Sequence, residues 1–267
     1  MQRIGLISDI HGNAVAFEAV LRDLWKQKID SVFVLGDLAN RGSEPAKCIS
    51  LVGSLNCPVI GGNGDEWIVR GYDEQDTLTP SHVRSISQLQ NWSTDQAQAH
   101  LREREWTVSQ LNESEIEYLR ALVDVHQHRL VDDQFMLLCH AVPNDRMKLV
   151  FPDTANDVLY ETYLAPFQGV RIAAYGHTHL PFIRFFSGAV VINTGTVGLP
   201  FDGSPMVSYA VVEIDGEAIS ASIRRVSYDV QLACQLLDRV NYPYPALIGD
   251  CLRTGVRPIH EIGGANE

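Results

Sequence analysis

Residues 3–13 read Arg3-Ile4-Gly5-Leu6-Ile7-Ser8-Asp9-Ile10-His11-Gly12-Asn13, a short apolar run that stops on an acid, a histidine and a glycine. Such a run, bounded by polar and turn residues, predicts a strand. Asn13 is placed to cap a following helix, in which Val15, Ala19, Leu21 and Leu24 fall near one face. The same arrangement recurs along the chain. Residues 32–35 end in Gly36-Asp37, Val59-Ile60 in Gly61-Gly62-Asn63-Gly64-Asp65, 136–139 in His140, and 172–175 in Gly176-His177-Thr178-His179. Five apolar runs therefore each release Asp, Asn or His at the carboxyl end. In an open α/β sheet that edge carries the ligand sites, so the five loops are expected to converge on one point.

Short apolar runs alternate with amphipathic stretches over most of the chain, which predicts a layered α/β fold. Strands are expected at 3–8, 31–35, 59–60, 135–139, 172–175, 182–186, 190–193, 207–214 and 219–226, and helices at 14–26, 45–54, 95–109, 113–123, 157–164 and 230–240. Residues 66–125 differ in character: they are rich in Gln, Ser, Glu and Arg, carry Trp67, Trp92 and Trp106, and lack strand patterns. They read as a helical insertion within a single domain spanning 1–267. The insertion is either a solvated excursion or a lid that shapes the substrate site. Residues 263–267, small and polar, are expected to fray.

The 267 residues are 45% hydrophobic, ample for a core without staples. The formal charge of −12 argues against a protein that grips long nucleic acid by general phosphate attraction, while leaving room for a local cationic site supplied by bound metal. The five cysteines are odd in number and form no C-x-x-C pair, so they read as buried free thiols of a reducing compartment. Met1-Gln2 running straight into Ile4-Gly5-Leu6-Ile7 is not expected to be a secretory-type leader, and no run nears the ~18 apolar residues of a membrane span. The expectation is a cytoplasmic protein with no membrane partner.

Seven side chains then face a common centre: Asp9, His11, Asp37, Asn63, His140, His177 and His179. Imidazoles mixed with hard oxygen donors suit Mn, Fe, Zn, Ni or Co better than Mg or Ca. With no cysteine in the set, a structural thiolate zinc site is excluded. Seven ligands exceed what one ion takes from protein, whereas two divalent ions sharing a carboxylate fit the count. The flanking Gly12, Gly36, Gly61, Gly62, Gly64 and Gly176 allow sharp turns or close approach. Each motif alone has a mundane reading: a cap for D-x-H, a helix-entry turn for G-D, a turn for Asn63 among glycines. Their order and shared strand-end context point to the dinuclear centre.

The series D-x-H, G-D, G-N-x-[DE], H and G-H-x-H resembles the calcineurin-like metallophosphoesterase superfamily, over the ligands of about residues 1–65 and 130–226. It is most similar to the small prokaryotic phosphodiesterase branch, including Asn193-Thr194-Gly195-Thr196-Val197-Gly198-Leu199-Pro200, which looks like N-P-G-S-x-G-x-P. The resemblance implies a four-layer α/β/β/α sandwich with two mixed β-sheets. It also implies that Asp9, His11, Asp37 and His179 hold one ion and Asp37, Asn63, His140 and His177 the other, Asp37 bridging. A water between the ions, its pKa lowered by their charge, would then attack the phosphorus of a small phosphate-ester substrate.

Three positions depart from the pattern. Many members carry a histidine after the Asn as general acid; here Gly64 stands there, so no catalytic side chain is assigned beyond the metal-bound hydroxide, and esters with poor leaving groups should suffer. Asp65 is expected to support its loop or to contact substrate. Asp37-Leu38-Ala39-Asn40-Arg41-Gly42 resembles the G-D-x-x-x-R-G of protein phosphatases and diadenosine tetraphosphatases, where the arginine binds substrate phosphate, which makes Arg41 a candidate substrate-binding residue against a bland surface role. Phe201 replaces an arginine common in the branch, either weakening phosphate binding there or offering a stacking surface. His82, His100, His126, His128 and His260 are expected in exposed segments without chemistry. The reading is a phosphodiesterase; the rivals are a phosphomonoesterase acting on phosphoprotein or nucleotide, a dinucleoside polyphosphate hydrolase, and a non-catalytic scaffold on the same fold, as in the retromer subunit.

Overall fold

A computed structural model describes residues 1–74, 78–130 and 133–257. Among these, nine strands and nine helices run in the order β1 (Gln2–Ile7), α1 (Ala14–Lys26), β2 (Ser31–Val34), α2 (Pro45–Ser54), α3 (Asn63–Asp73), α4 (Pro80–Gln90), α5 (Thr94–Ser109), α6 (Glu113–Arg120), β3 (Val125–Arg129), β4 (Phe135–Cys139), α7 (Asn156–Tyr163), β5 (Val170–Tyr175), β6 (Phe182–Phe186), β7 (Ala189–Asn193), β8 (Val207–Asp215), β9 (Ala218–Val226), α8 (Val230–Arg239) and α9 (Pro245–Thr254).

The strands form two mixed sheets, β2-β1-β8-β9 and β3-β4-β5-β7-β6. β1 pairs parallel with β2 (Leu6 opposite Phe33), and β4, β5 and β7 are parallel to one another. These parallel strands are apolar on both faces because both are covered. Ile4, Leu6, Phe33 and Leu35 from one sheet meet Met136, Leu138, Ile172, Ala174 and Ile192 from the other in a shared core. On its outer face the first sheet packs Ile7, Val34, Tyr209 and Val211 against Phe17 and Val20 of α1 and Cys48 and Val52 of α2. The second sheet packs Leu137, Ala173 and Tyr175 against Leu159 and Tyr163 of α7. The fold is the expected four-layer sandwich.

Several expected elements coincide with the observed ones, among them α1, α2, β4 and β6. Val59-Ile60 is confined to isolated bridges with Val34 and Val123. Three helices and one strand escape the pattern reading. α3 begins at the candidate ligand Asn63, so the helical stretch α3–α6 starts at the candidate site. α4 follows a Thr79 cap and Pro80, and α9 lies between Pro245 at its first turn and a left-handed Gly255. Those caps were readable signals. β3 was not: Val-His-Gln-His-Arg is an edge strand whose partner on one side is β4.

The histidine expectations are corrected here. His126 and His128 on β3 are half-buried, their rings 5.9 and 4.9 Å from that of Phe33, and His100 is buried against Trp92 at 4.3 Å. His82 is also partly buried; His260 and residues 263–267 lie outside the described residues. Four of the cysteines are buried and Cys57 is partly so, all as free thiols. No described helix is long and apolar enough to cross a membrane.

Candidate metal centre

Six of the candidate ligands follow the carboxyl ends of β1, β2, β4 and β5, Asn63 opens α3 beside them, and backbone hydrogen bonds lash the loops together. Asp9 N donates to Gly36 O and His11 N to Asp37 O, both at 2.9 Å, and Gly176 N donates to His140 O at 2.9 Å. The tight turns expected of the glycines fall largely on the ligands themselves. Asp9, His11, Asp37, His177 and His179 have φ of 55°, 48°, 54°, 65° and 59°. Left-handed backbone is uncommon for residues other than glycine, Asp and His being among the more tolerant, and it concentrates at functional sites. Gly12 and Gly36 do turn left-handed, at φ of 61° and 93°, while Gly62 and Gly176 serve close approach. A Cβ on Gly62 would lie 2.0 Å from Asp37 Oδ1, and one on Gly176 would lie 2.3 Å from Asp9 Oδ2.

Hydrogen bonds to backbone carbonyls fix the imidazoles. His11 Nδ1 donates to Asn40 O (3.1 Å), His140 Nδ1 to Leu35 O (2.7 Å) and His179 Nδ1 to Leu199 O. In the neutral ring this leaves each Nε2 as a bare lone pair. Those lone pairs are aimed at other acceptors: His11 Nε2 lies 3.1 Å from His179 Nε2, and His179 Nε2 lies 3.2 Å from Asp9 Oδ1. Asp9 is fully buried, and its Oδ1 has no hydrogen-bond donor, while Oδ2 accepts from Ser8 Oγ (2.6 Å) and His177 N (2.9 Å). Lone pairs facing one another in a dry site fit a cation between them. Two sets of donors lie within reach of an ion, Asp9–His11–His179 and Asp9–Asp37–His140. Asp37 spans both sides, Oδ2 lying 3.7 Å from His11 Nε2 and Oδ1 3.6 Å from His140 Nε2. Asn63 Oδ1 is 2.9 Å from His140 Nε2. His177 is outside both sets; its Nε2 bonds Met147 O at 3.2 Å, and its ring packs on that of His140 at 5.0 Å.

The electrostatics of the His11 and His177 rings agree. Burial pushes His11 down to about 4, with the charge on His179 adding to the shift; burial and the neighbouring His140 push His177 to about 4. Both rings are therefore neutral ligands near pH 7. Burial opposes ionisation of Asp9 and Asp37, but the surrounding imidazoles outweigh it and hold both below the usual carboxylate range. His140 is raised: burial lowers it, and Asp37 and Asp9 together overcome that.

Asp65 is a loop support. Its Oδ2 accepts from Asp37 N and Gly62 N, each at 2.9 Å, and its Oδ1 from Leu38 N at 2.8 Å, so one buried carboxylate ties the Asp37 loop to the start of α3. Burial and the adjacent Asp37 carboxylate raise it to about 7. Gly64 N donates to Asp37 Oδ1 at 2.7 Å, and a Cβ at Gly64 would lie 3.0 Å from that oxygen. A histidine there would require the carboxylate to move.

Two supports were not foreseen. Arg146 packs against Gly61, where a Cβ would lie 2.8 Å from Nη2, and is held by Asp124 at 2.6 Å. The loop from Asn193 anchors the ligand loops. Asn193 Nδ2 donates to Gly176 O (2.6 Å), Thr196 Oγ1 to Asp9 O (2.8 Å) and Gly198 N to Asp9 O (2.8 Å). The quoted motif could have suggested this second role; nothing local to Arg146 signals its contacts. A cleft of about 280 Å³ opens over the centre, lined by His11, Asp37, Asn63, His177 and His179, by Arg41 and Arg257, by Gln90 and Trp92 of the insertion, and by Met147, Leu149 and Phe151. Phe201 also lines it, but its ring stacks on His179 at 4.2 Å and 14°.

The two-sheet sandwich thus brings Asp, Asn and His donors together at one sheet end, in a group that could hold metal. The chain belongs to the calcineurin-like phosphoesterase superfamily, whose domain model matches residues 2–217. It is 26% identical over 269 aligned positions to an uncharacterized protein of Methanocaldococcus jannaschii, covering 94% of this chain and 98% of that one. Its fold is similar to that of a metallophosphoesterase from Sphaerobacter thermophilus (TM-score 0.71, 24% identity) and of a hypothetical protein from Pyrococcus horikoshii (TM-score 0.78, 18% identity), each alignment covering 96% of this chain and 100% of the other.

Proposed function

We propose that the chain is a phosphodiesterase that works with two divalent transition-metal ions, Mn, Fe, Zn, Ni or Co. The observation that carries this is the set of fixed, mutually facing lone pairs at His11, His179, His140 and Asp9 Oδ1, which a protein without cations has no reason to bury. Asp9, His11, Asp37 and His179 would hold one ion; Asp37, Asn63, His140 and His177 the other. Asp37 suits the bridge because it turns one oxygen to each side, whereas Asp9 Oδ2 is already taken by two donors. For His177, the bond from Nε2 to Met147 O leaves Nδ1 as the coordinating nitrogen. Such ions supply Lewis acidity toward the phosphoryl oxygens and a nucleophilic water near neutral pH.

The protein's own groups hold this centre rigid. The carbonyls of Asn40, Leu35 and Leu199 lock the imidazole tautomers, and Asp65 fixes the spacing of the two loops that carry Asp37 and Asn63. Gly64 provides no proton for a departing alkoxide, which favours esters with good leaving groups. Gln90 and Trp92 in the cleft wall support the reading of the insertion as a shaper of the substrate site. A phosphomonoesterase is the second reading. It is favoured by Arg41, which lines the cleft and whose charge acts on His11.

The test is metal-stripped protein assayed on bis-p-nitrophenyl phosphate and p-nitrophenyl phosphate with each metal restored. Metal-dependent turnover that favours the diester is expected, with Asp37→Ala losing both activity and the uptake of two equivalents. Better turnover of the monoester would move the assignment to the second reading. Full activity of Asp37→Ala would remove the site altogether.

A further inference from the structure

In a chain of formal charge −12, two arginines line the cleft. Arg41 belongs to the loop that follows Asp37. Arg257 arrives from the opposite end of the sequence, and its position is built. α9 is held to the loop after β7 by Cys251 Sγ, 3.4 Å from Pro200 O. Gly255 then ends the helix at a φ of 67°, and its carbonyl accepts from Gly203 N at 2.9 Å. A Cβ on Gly255 would lie 2.3 Å from Ser204 N, so glycine is what permits the contact. Two residues on, the Arg257 guanidinium carbon sits 5.8 Å from the centre of the Phe201 ring, which is itself stacked on His179.

We propose that Arg257 is a substrate-binding residue, holding non-bridging oxygens of the phosphoryl group in this cleft; this rests on the phosphoesterase reading above. A guanidinium offers a planar fork matched to phosphate oxygens, which an ammonium does not. The surrounding negative charge of the protein gives such a fork a further role, lowering the barrier that an anionic ester meets on entry. The competing role for Arg257 is packing on Phe201, through which it would steady His179 without touching substrate.

Inorganic phosphate titrated calorimetrically into full-length, Mn-loaded protein separates the two, using wild type, Arg257→Met and Arg257→Lys. Arg257→Met keeps the apolar stem and removes the fork; its phosphate Kd should weaken about tenfold, the loss of one charge-assisted contact. Arg257→Lys should recover part of that loss. The KM for bis-p-nitrophenyl phosphate should rise with the Kd while kcat changes less than about twofold, the pattern of lost uniform binding. Phosphate affinity within about twofold of wild type in Arg257→Met, or no phosphate binding by the wild type, overturns the proposal. A fall in kcat with unchanged phosphate affinity assigns the packing role instead. Wild-type protein that binds phosphate but cleaves neither ester defeats the phosphoesterase reading, and the titration still decides Arg257.

Discussion

Replacing Asp65 tests whether a single carboxylate joins the two halves of the metal centre. In Asp65→Ala, the N–H groups of Asp37, Leu38 and Gly62 lose their acceptor in a site closed to solvent. Each orphaned buried donor costs about 1–3 kcal/mol. Three of them, softened by loop relaxation and entry of water, amount to about 3–5 kcal/mol. That is a large part of the roughly 5–15 kcal/mol that holds a domain together, and it should lower the melting temperature by about 10 °C. Asp65→Asn should lose less. Its one oxygen can keep the two bonds now made by Oδ2, its amide opposes Leu38 N–H, and neutralising the group removes the cost of burying its charge and the repulsion from Asp37, which together raise it to about 7. Urea melts of metal-free wild type and both variants read the stability, and metal titration reads the site. Affinity in Asp65→Ala should fall about 10–100-fold, the usual cost of losing a group that orients ligands. A metal-free Asp65→Ala within about 1 kcal/mol of wild type would refute the argument, because at least one N–H would then have been satisfied elsewhere.

Two further predictions concern the ligands. In metal-free protein labelled with ¹⁵N-histidine, the His11 and His177 rings should titrate near 4 and fall silent when metal is bound. Both pKa values lie below the unfolded value of about 6.5, so the stability these rings contribute is complete above that pH and is lost as pH falls toward 4; midpoints near 6.5 would contradict the buried geometry. Gly176→Ala drives a Cβ to 1.9 Å from Ser8 Oγ and 2.3 Å from Asp9 Oδ2. Metal uptake should fail in this variant even where circular dichroism shows the sheets intact, and normal uptake would show the Asp9 loop to be softer than described.

The convergence of the candidate donors was legible because most of them follow an apolar run, and the run fixes the sheet edge at which they emerge. The supports are less legible because their partners are far away in sequence. Arg146 meets Gly61 from the far side of the 66–125 stretch, and Asn193 meets Gly176 only once β7 pairs with β5. Phe201 shows the limit most clearly. Its residue type left open weaker phosphate binding or a stacking surface, and the fold stacks its ring on His179. β3 was hidden because an edge strand with alternating histidines carries too little apolar signal, while α4 and α9 were missed despite proline and glycine caps that mark their ends.

The left-handed backbone at five candidate ligands has a consequence for how this protein can change. Each such residue carries on the order of 1 kcal/mol of conformational cost that glycine would not. At Asp9, His11, Asp37, His177 and His179, the substitution that best relaxes the chain is thus also the one that deletes a donor. Backbone relief and side-chain bonding pull these five positions in opposite directions: glycine at Asp9 would orphan His177 N–H and at Asp37 would orphan Gly64 N–H, each costing about 1–3 kcal/mol. The strain is thus held in place by the bonds these side chains make, and a library screened for thermal resistance alone should keep the two acids even without metal.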